Sequence, residues 1–342
     1  MRVAERTGVR RELLILVAGV GSLVAVACGS TDSPGGTAAV PGAGSAIATE
    51  TISGSRGAAG PGAALTPPEP GWTAISEEID LVLATPDLGT GTQRFGIVLS
   101  DDRGLIRFPV VKLTAEYFPD GYDYEPEASL TQSASSRFYE FPFGTRGIHS
   151  TVMEFGRAGL WSVSAEIPRP DGTRAPFEVR FPVTESAMSV TVGEQAPASD
   201  SRTLASVGDI AELTTGSHRD SELYRYSIAD ALDRDRPLMI VFASPAFCTN
   251  AVCGPQVEVV SELREEYGDR VDFVHIDLYS NPHEIQGDLS RARFSPVLAE
   301  WGLVSQEWTF IVGADGIVTH RFENFAPKPE LIEALEQSVA VG

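Results

Sequence analysis

Apolar and polar residues alternate in short runs between Trp72 and Val192, and turn residues separate the runs. Alternation with a period of two is typical of strands that bury one face. The pattern predicts seven strands, at 79–84, 94–99, 111–118, 137–143, 148–155, 160–167 and 177–183. Seven strands at this spacing indicate an antiparallel β-sandwich.

The last third of the chain has a different pattern, in which continuous apolar runs alternate with amphipathic segments. We expect strands at 237–243, 271–277, 308–312 and 317–322, and helices at 227–232, 255–267, 296–301 and 329–339. A continuous apolar run indicates a strand that is buried on both faces, and strands that alternate with helices indicate a βαβ unit. The expected fold of this part is α/β, with helices on both faces of a central sheet.

The chain begins with a pattern that is typical of exported proteins. Four arginines and an apolar run at 13–27 precede Cys28, and the run ends in Ala25-Val26-Ala27. The positive start, the apolar run and the small residues at its end indicate a signal peptide. The run is too short for a membrane span, which needs about 20 apolar residues. The four residues 25–28 resemble the lipobox of bacterial lipoproteins, and this resemblance implies that Cys28 is lipidated. We therefore expect the protein on the extracytoplasmic face of the cell membrane, anchored through Cys28.

These patterns divide the chain into a signal peptide (1–27), a linker (28–71), a β-sandwich domain (72–198) and an α/β domain (199–342). The linker is rich in Gly, Ala, Pro and Ser, so it cannot bury a core and is expected to be disordered. The run at 157–165 resembles the penultimate strand of small immunoglobulin-like domains. A net charge of −21 excludes nucleic acid as a partner, because phosphates require a basic surface.

Two cysteines, Cys248 and Cys253, lie between an apolar strand and an amphipathic helix and form the strongest candidate site. Unpaired N–H groups at a helix N-terminus stabilise a thiolate. Five helical residues rise about 7.5 Å, more than the roughly 4.4–6.8 Å between the Cα atoms of a disulfide, so one regular helix cannot hold both cysteines. Because proline favours the first helical position, Pro255 predicts a cap at Gly254 and a loop at 249–253 that can bring the thiols together.

The element order at 227–339, with cysteines after the first long strand, resembles the thioredoxin superfamily. Asp277, which ends Val-His-Ile-Asp, is similar to the acid that closes the third strand in thioredoxins. The resemblance implies thiol–disulfide exchange with protein clients and without a cofactor. In that reaction Cys248, the more exposed thiol, attacks and Cys253 resolves the mixed disulfide. Family members carry Cys-x-x-Cys, whereas four residues separate the cysteines here.

Glu307 stands where the superfamily has a cis-proline, just before the hairpin strand. A non-proline cis bond costs about 3 kcal/mol, so we expect a trans bond at Glu307. Its position beside the expected cysteine loop suits it to accept a proton from Cys253. The candidate catalytic residues are therefore Cys248, Cys253 and Glu307.

Two alternatives to redox exchange remain open for the cysteine pair. It could be a structural disulfide in a binding or scaffold lipoprotein, because such bonds are common in exported proteins. Alternatively, two thiolates and a histidine such as His275 or His320 could hold copper, in a way similar to the Cys-x-x-x-Cys copper chaperones.

Overall fold

The structure is a computed structural model that describes residues 71–122, 128–142, 144, 146–248 and 251–341. The predicted signal peptide, Cys28 and all but the last residue of the predicted linker lie outside the described residues. The described residues all belong to one compact unit. Within them, no helix combines the length and the apolar character that crossing a membrane requires.

Nine strands form one antiparallel sheet, here called the large sheet. They are β1 (Thr73–Ile75), β2 (Asp80–Leu83), β3 (Gly91–Asp101), β4 (Gly104–Leu105), β5 (Val110–Phe118), β6 (Leu130–Glu140), β7 (Gly147–Phe155), β8 (Gly159–Pro168) and β9 (Arg174–Val183). The order is β1-β9-β8-β5-β6-β7-β3-β2, and β4 pairs with β3. Since the two end strands, β1 and β2, follow each other in the chain, the sheet wraps almost into a closed structure. The expected antiparallel β fold is confirmed, but as one continuous sheet rather than the two separate sheets of the predicted sandwich.

Each of the seven strands expected from the alternating pattern overlaps an observed strand of the large sheet. The sequence did not predict β1 and β4, which are too short to show alternation. Strand β6 begins at Leu130, seven residues before the predicted start at 137. The sequence did not show this start because most residues between them are polar and exposed or only partly buried, so they do not alternate with apolar residues.

Aromatic side chains fill the inside of the large sheet. The Phe95 ring lies 5.5 Å from that of Phe181, and the Phe155 ring lies 5.1 Å from that of Trp161. All four are almost fully buried. Buried aromatic residues contribute the largest apolar areas of a core, so this cluster is a main source of stability for the large sheet.

The remaining strands form a four-stranded mixed sheet, here called the small sheet. They are β10 (Leu238–Phe242), β11 (Asp272–Ile276), β12 (Trp308–Val312) and β13 (Val318–Glu323), in the order β11-β10-β12-β13. Strand β10 is parallel to β11 and antiparallel to β12. Three of the four strands, β10, β11 and β12, are buried along their whole length, as their continuous apolar runs predicted.

Six α-helices accompany the small sheet in the described part of the chain. They are α1 (Leu204–Val207), α2 (Ile228–Leu232), α3 (Cys253–Tyr267), α4 (Pro282–Ile285), α5 (Val297–Glu300) and α6 (Lys328–Val341). Met239 and Val241 of β10 face a core that includes α3 and α6, whereas Leu238, Ile240 and Phe242 face a core that includes α2 and α5. Helices therefore cover both faces of the small sheet, as expected.

The two sheets meet at a guanidinium that is almost fully buried. Arg94 of β3 forms an ion pair of 2.8 Å with Glu330 of α6. It also donates hydrogen bonds to the main-chain oxygens of Glu323 (2.9 Å) and Phe325 (3.0 Å). Arg94 thus holds the end of β13 and the start of α6 against the large sheet.

A second buried group of charges lies at the same junction. The Asp87 main-chain N–H donates to the Glu323 carboxylate at 2.9 Å, and Ser305 donates to the other oxygen of that carboxylate at 2.8 Å. Arg321 lies 3.5 Å from the Asp87 carboxylate. Burial raises the pKa of Glu323 to about 7. The junction is therefore specific, because each of these charged groups has a polar partner.

Replacement of Arg94 by alanine is expected to lower the free energy of unfolding by about 3 kcal/mol, because it leaves Glu330 and two carbonyl groups without their partner. Arg174→Ala is the matched control, since its ion pair with Glu166 is exposed and is expected to contribute less than about 1 kcal/mol. Urea unfolding monitored by tryptophan fluorescence measures both values. Equal losses in the two variants would contradict the assigned role of Arg94.

Candidate functional site

The candidate site lies where β10 leads into α3. Strand β10 ends at Phe242, and the chain reaches Cys248 before α3 begins at Cys253. Cys248 and Cys253 form a disulfide with Cα atoms 5.9 Å apart. The expectation that the loop brings the two thiols together is therefore confirmed.

Helix α3 begins earlier than the sequence indicated. We expected Gly254 as the cap, but the helix begins at Cys253 and its cap is Val252. Pro255 is then the third helical residue, where a missing N–H is tolerated because the first four N–H groups of a helix have no partner within it. Ala251 has a left-handed backbone with φ 59°, which turns the chain back before the helix. This turn brings Cys248 close to Cys253 although only Cys253 is helical.

The two sulfurs differ in their access to solvent. Cys248 is partly buried, whereas Cys253 is fully buried. The Cys253 sulfur lies 3.8 Å from the main-chain oxygen of Gln306. The prediction that Cys248 is the more exposed member of the pair is confirmed, so a partner molecule would reach Cys248 first.

Glu307, immediately before β12, lies beside the disulfide. One carboxylate oxygen and the two cysteine sulfurs all lie within 4.8 Å of one another. The side chain is almost fully buried, and neither of its oxygens has a hydrogen-bond partner among the described residues. Such a group favours its neutral form, because burial penalises the charge.

Burial raises the pKa of the Glu307 carboxyl to about 8, although the positive charge of Arg94 acts in the opposite direction. The main chain of Glu307 is fixed by Asn324, whose N–H donates to its carbonyl at 2.9 Å. The described residues contain no cis peptide bond, which confirms the expected trans bond at Glu307. The structure thus places all three of Cys248, Cys253 and Glu307 together.

The two histidines considered as copper ligands do not join this cluster. His275 donates from Nε2 to the main-chain oxygen of Ala243 at 2.9 Å and accepts at Nδ1 from the Tyr224 hydroxyl at 2.6 Å. Burial lowers the pKa of His275 to about 4, so its ring is neutral. The Nε2 atom of His320 lies 3.1 Å from Gln337. Neither histidine is therefore the third ligand, and the side chain that lies beside the two sulfurs is Glu307.

Asp277, the acid that follows β11, is buried but well hydrogen-bonded. Its carboxylate accepts from the Thr215 main-chain N–H (2.7 Å), the Thr215 hydroxyl (2.8 Å) and the Tyr279 main-chain N–H (3.1 Å). Burial raises its pKa to about 6 in spite of these bonds. Asp277 is not in the group formed by the cysteines and Glu307. Its donors indicate that it fixes the segment around Thr215.

Residues 324–327, which the sequence did not identify as part of the site, lie beside the N-terminal part of α3. Gln256 of α3 accepts a hydrogen bond from the Ala326 N–H at 2.9 Å. The ring of Phe325 lies 4.4 Å from that of Phe141, which directly follows β6 of the large sheet. Gln256 is a buried polar residue on the otherwise apolar face of α3. This polar residue was the one feature of the sequence that could have indicated a hydrogen-bond partner for the helix at this point. Phe141 and Phe325 gave no such indication, because their contact joins distant parts of the chain.

Comparisons with known proteins add little. No protein-family model and no curated protein matches the chain. One similar solved structure is the soluble domain of PmoD from Methylocystis sp. ATCC 49242 (Rockwell). It is 15% identical, covers 32% of this chain and 94% of its own, and has a TM-score of 0.22. A likeness this weak carries no argument about fold or function.

Glu307 is expected to make the oxidised protein less stable as pH rises. Its pKa is raised to about 8 in the folded chain, against 4.5 for an ordinary glutamate, so the unfolded chain releases this proton first. The free energy of unfolding should therefore fall between about pH 4.5 and pH 8, by an amount on the order of a few kcal/mol. Glu307→Gln should lack this part of the pH dependence. Urea unfolding of both proteins across this range measures the difference.

Other buried acids, Glu323 and Asp277, contribute similar slopes to both proteins, so the informative quantity is the difference between the two curves. Parallel curves would contradict a neutral, buried Glu307.

Proposed function

We propose that this protein carries out thiol–disulfide exchange through Cys248 and Cys253. The observation that carries the proposal is the arrangement of the disulfide. It joins a partly exposed sulfur to a buried one, beside a Glu307 carboxyl that has no hydrogen-bond partner among the described residues. Catalytic disulfides need one sulfur that clients can reach and a second that resolves the mixed disulfide. A proton acceptor next to the buried thiol makes that second step feasible.

The scaffold is proposed to be thioredoxin-like. The mixed small sheet, the position of α3 directly after the cysteine loop and the helices on both faces support this assignment. The proposal differs from the usual superfamily pattern in the spacing of the cysteines and in the origin of the acid. Strand β10 carries only apolar residues, and the acid beside the disulfide comes from the residue before β12.

For the large sheet we propose an immunoglobulin-like origin. It consists of antiparallel strands around a core that contains Trp161, and this core residue belongs to the run that resembles immunoglobulin-like domains. Arg94 of β3 and Phe141, the residue after β6, contribute to the junction near the cysteines. Its proposed role in the exchange reaction is to support the site, because its side chains do not belong to the group formed by the cysteines and Glu307.

The proposed reaction reduces a client disulfide and oxidises the cysteine pair. The Cys248 thiolate attacks one sulfur of a client disulfide, and the other client sulfur leaves as a thiolate. The next step uses the ionised form of Glu307, which is a minor fraction at neutral pH because its pKa is raised to about 8. In that form the Glu307 carboxylate takes the proton of the Cys253 thiol, and the Cys253 sulfur then attacks Cys248 and releases the second client thiolate. Two electrons pass to the client, and the cysteine pair ends as a disulfide with the proton on Glu307. A separate dithiol donor must reduce the pair again.

We also propose that the protein is held on the extracytoplasmic face of the cell membrane by a lipid on Cys28. The support is the arginine-rich start, the apolar run and the small residues before Cys28. Exchange outside the cytoplasm is consistent with this location, because disulfides persist in oxidising compartments.

Three variants test the exchange chemistry in the full chain with Cys28→Ala, in which Cys248 and Cys253 are the only thiols. Reduced protein should turn over a fluorescent model disulfide, and Cys248→Ser should abolish this activity. Cys253→Ser should accumulate a mixed disulfide that is visible by mass spectrometry. Glu307→Gln should slow resolution by roughly 100-fold, the usual contribution of a positioned proton acceptor.

Glu265→Gln, an exposed acid on α3, is the control and should keep full activity. A protein that shows no exchange, but melts at a lower temperature after reduction, would have a structural disulfide instead.

Lipidation of Cys28 is tested by labelling cells with radioactive palmitate. The natural chain should take up the label and sediment with membranes, and Cys28→Ser should lose both properties because the acceptor sulfur is gone. Cys253→Ser, which leaves Cys28 in place, should remain labelled. Label on the Cys28→Ser chain would contradict the proposed anchor.

A further inference from the structure

We infer that the reduced form of the site binds one Zn²⁺ ion through the Cys248 thiolate, the Cys253 thiolate and the Glu307 carboxylate. This goes beyond disulfide exchange, since it requires the reduced pair but no client. The starting observation is that Glu307 is buried without a hydrogen-bond partner among the described residues, beside two sulfurs. Buried polar groups normally have a hydrogen-bond partner, and buried charges are paired or bound to a metal. A buried carboxyl with no such partner among the described residues is therefore suited to bind a cation when it ionises.

The spacing of the three donor atoms suits a small ion. All of them lie within 4.8 Å of one another while the disulfide is formed. Ligands at about 2.3 Å for sulfur and about 2.0 Å for oxygen lie roughly 3.5–3.8 Å apart around a tetrahedral ion. Reduction allows the sulfurs to separate to this distance. The three donors can therefore reach one ion by small side-chain movements.

The types of donor favour Zn²⁺ over Cu⁺. Thiolates bind both ions, but a carboxylate is a hard ligand that suits Zn²⁺ and adds little to the binding of soft Cu⁺. The Glu307 oxygens give up no hydrogen bond to a described residue when they bind a cation. The double positive charge also relieves the cost of ionising a buried carboxyl.

The proposed site has three protein ligands, a number typical of zinc sites that keep a fourth position for water or another small donor. The disulfide and the ion exclude each other, because an oxidised pair has no thiolate to offer. The cysteine pair would then hold Zn²⁺ only in its reduced form, and oxidation of the pair would release the ion.

Cobalt is the probe for this site, because Co²⁺ bound by thiolates absorbs light in a way that Zn²⁺ does not. The full chain with Cys28→Ala is reduced, desalted without oxygen and titrated with Co²⁺ in the absence of any disulfide client. We expect one Co²⁺ per chain, with thiolate charge-transfer absorption and the visible bands of a tetrahedral ion. Added Zn²⁺ should abolish both signals by displacing the cobalt.

Glu307→Gln should weaken metal binding by at least about tenfold, since the loss of a residue that only hydrogen-bonds to a metal ligand already lowers metal affinity by that much. Cys248→Ser and Cys253→Ser should each remove the charge-transfer band or reduce it sharply. Glu265→Gln is the matched control and should bind as the parent protein does. Circular dichroism of each variant shows whether it is folded, and the oxidised parent protein, which is folded, should bind nothing.

Three results would overturn the inference: no cobalt spectrum from the reduced protein, equal affinity in the Glu307→Gln variant, or retention of Cu⁺ but not Zn²⁺ on a desalting column. The exchange assay is run separately in the presence of a chelator. Exchange without metal binding would reject only the zinc site, and metal binding without exchange would reject only the redox function.

Discussion

The guanidinium of Arg94 is the interaction on which the geometry of the site depends. Arg94 donates to the main-chain oxygens of Glu323, the last residue of β13, and of Phe325, just beyond the strand, while it pairs with Glu330. The residue between these two oxygens is Asn324, whose N–H holds the carbonyl of Glu307. One side chain of the large sheet thus fixes the segment that positions the acid of the small sheet. Because buried carbonyls without donors are costly, this segment has little freedom to move away.

Glu307 combines two properties that proteins rarely keep together: it is buried, and its carboxyl has no hydrogen-bond partner in the part of the chain that the structure describes. As a proton acceptor it would hold the proton that leaves Cys253, and as a ligand it would lose that proton to make room for a cation. Both roles use the carboxyl only when the cysteines are reduced.

Regular patterns in the sequence predicted the regular parts of the fold. Alternation located seven strands of the large sheet, and continuous apolar runs located the small sheet, because both patterns report burial directly. The position of Glu307 just before β12 was enough to place it beside the cysteines. The copper alternative, in which His275 or His320 joins the cysteines, has no support among the described residues, and a sequence shows no sign of the hydrogen bonds that occupy such a histidine. The Arg94–Glu330 pair joins residues 236 positions apart, and no local pattern reports such a contact.

The separation of those partners in the chain has a consequence for how the molecule is assembled. Asp87 and Arg94 enter the fold early in the chain, but their partners, Arg321, Glu323 and Glu330, come more than two hundred residues later. Closing so long a loop is entropically costly and slow. The cysteine loop can therefore form before its surroundings exist, and the pair would meet oxidants first without a fixed Glu307 beside it. Full maturation of the site waits for α6, the last helix described, to dock against the large sheet.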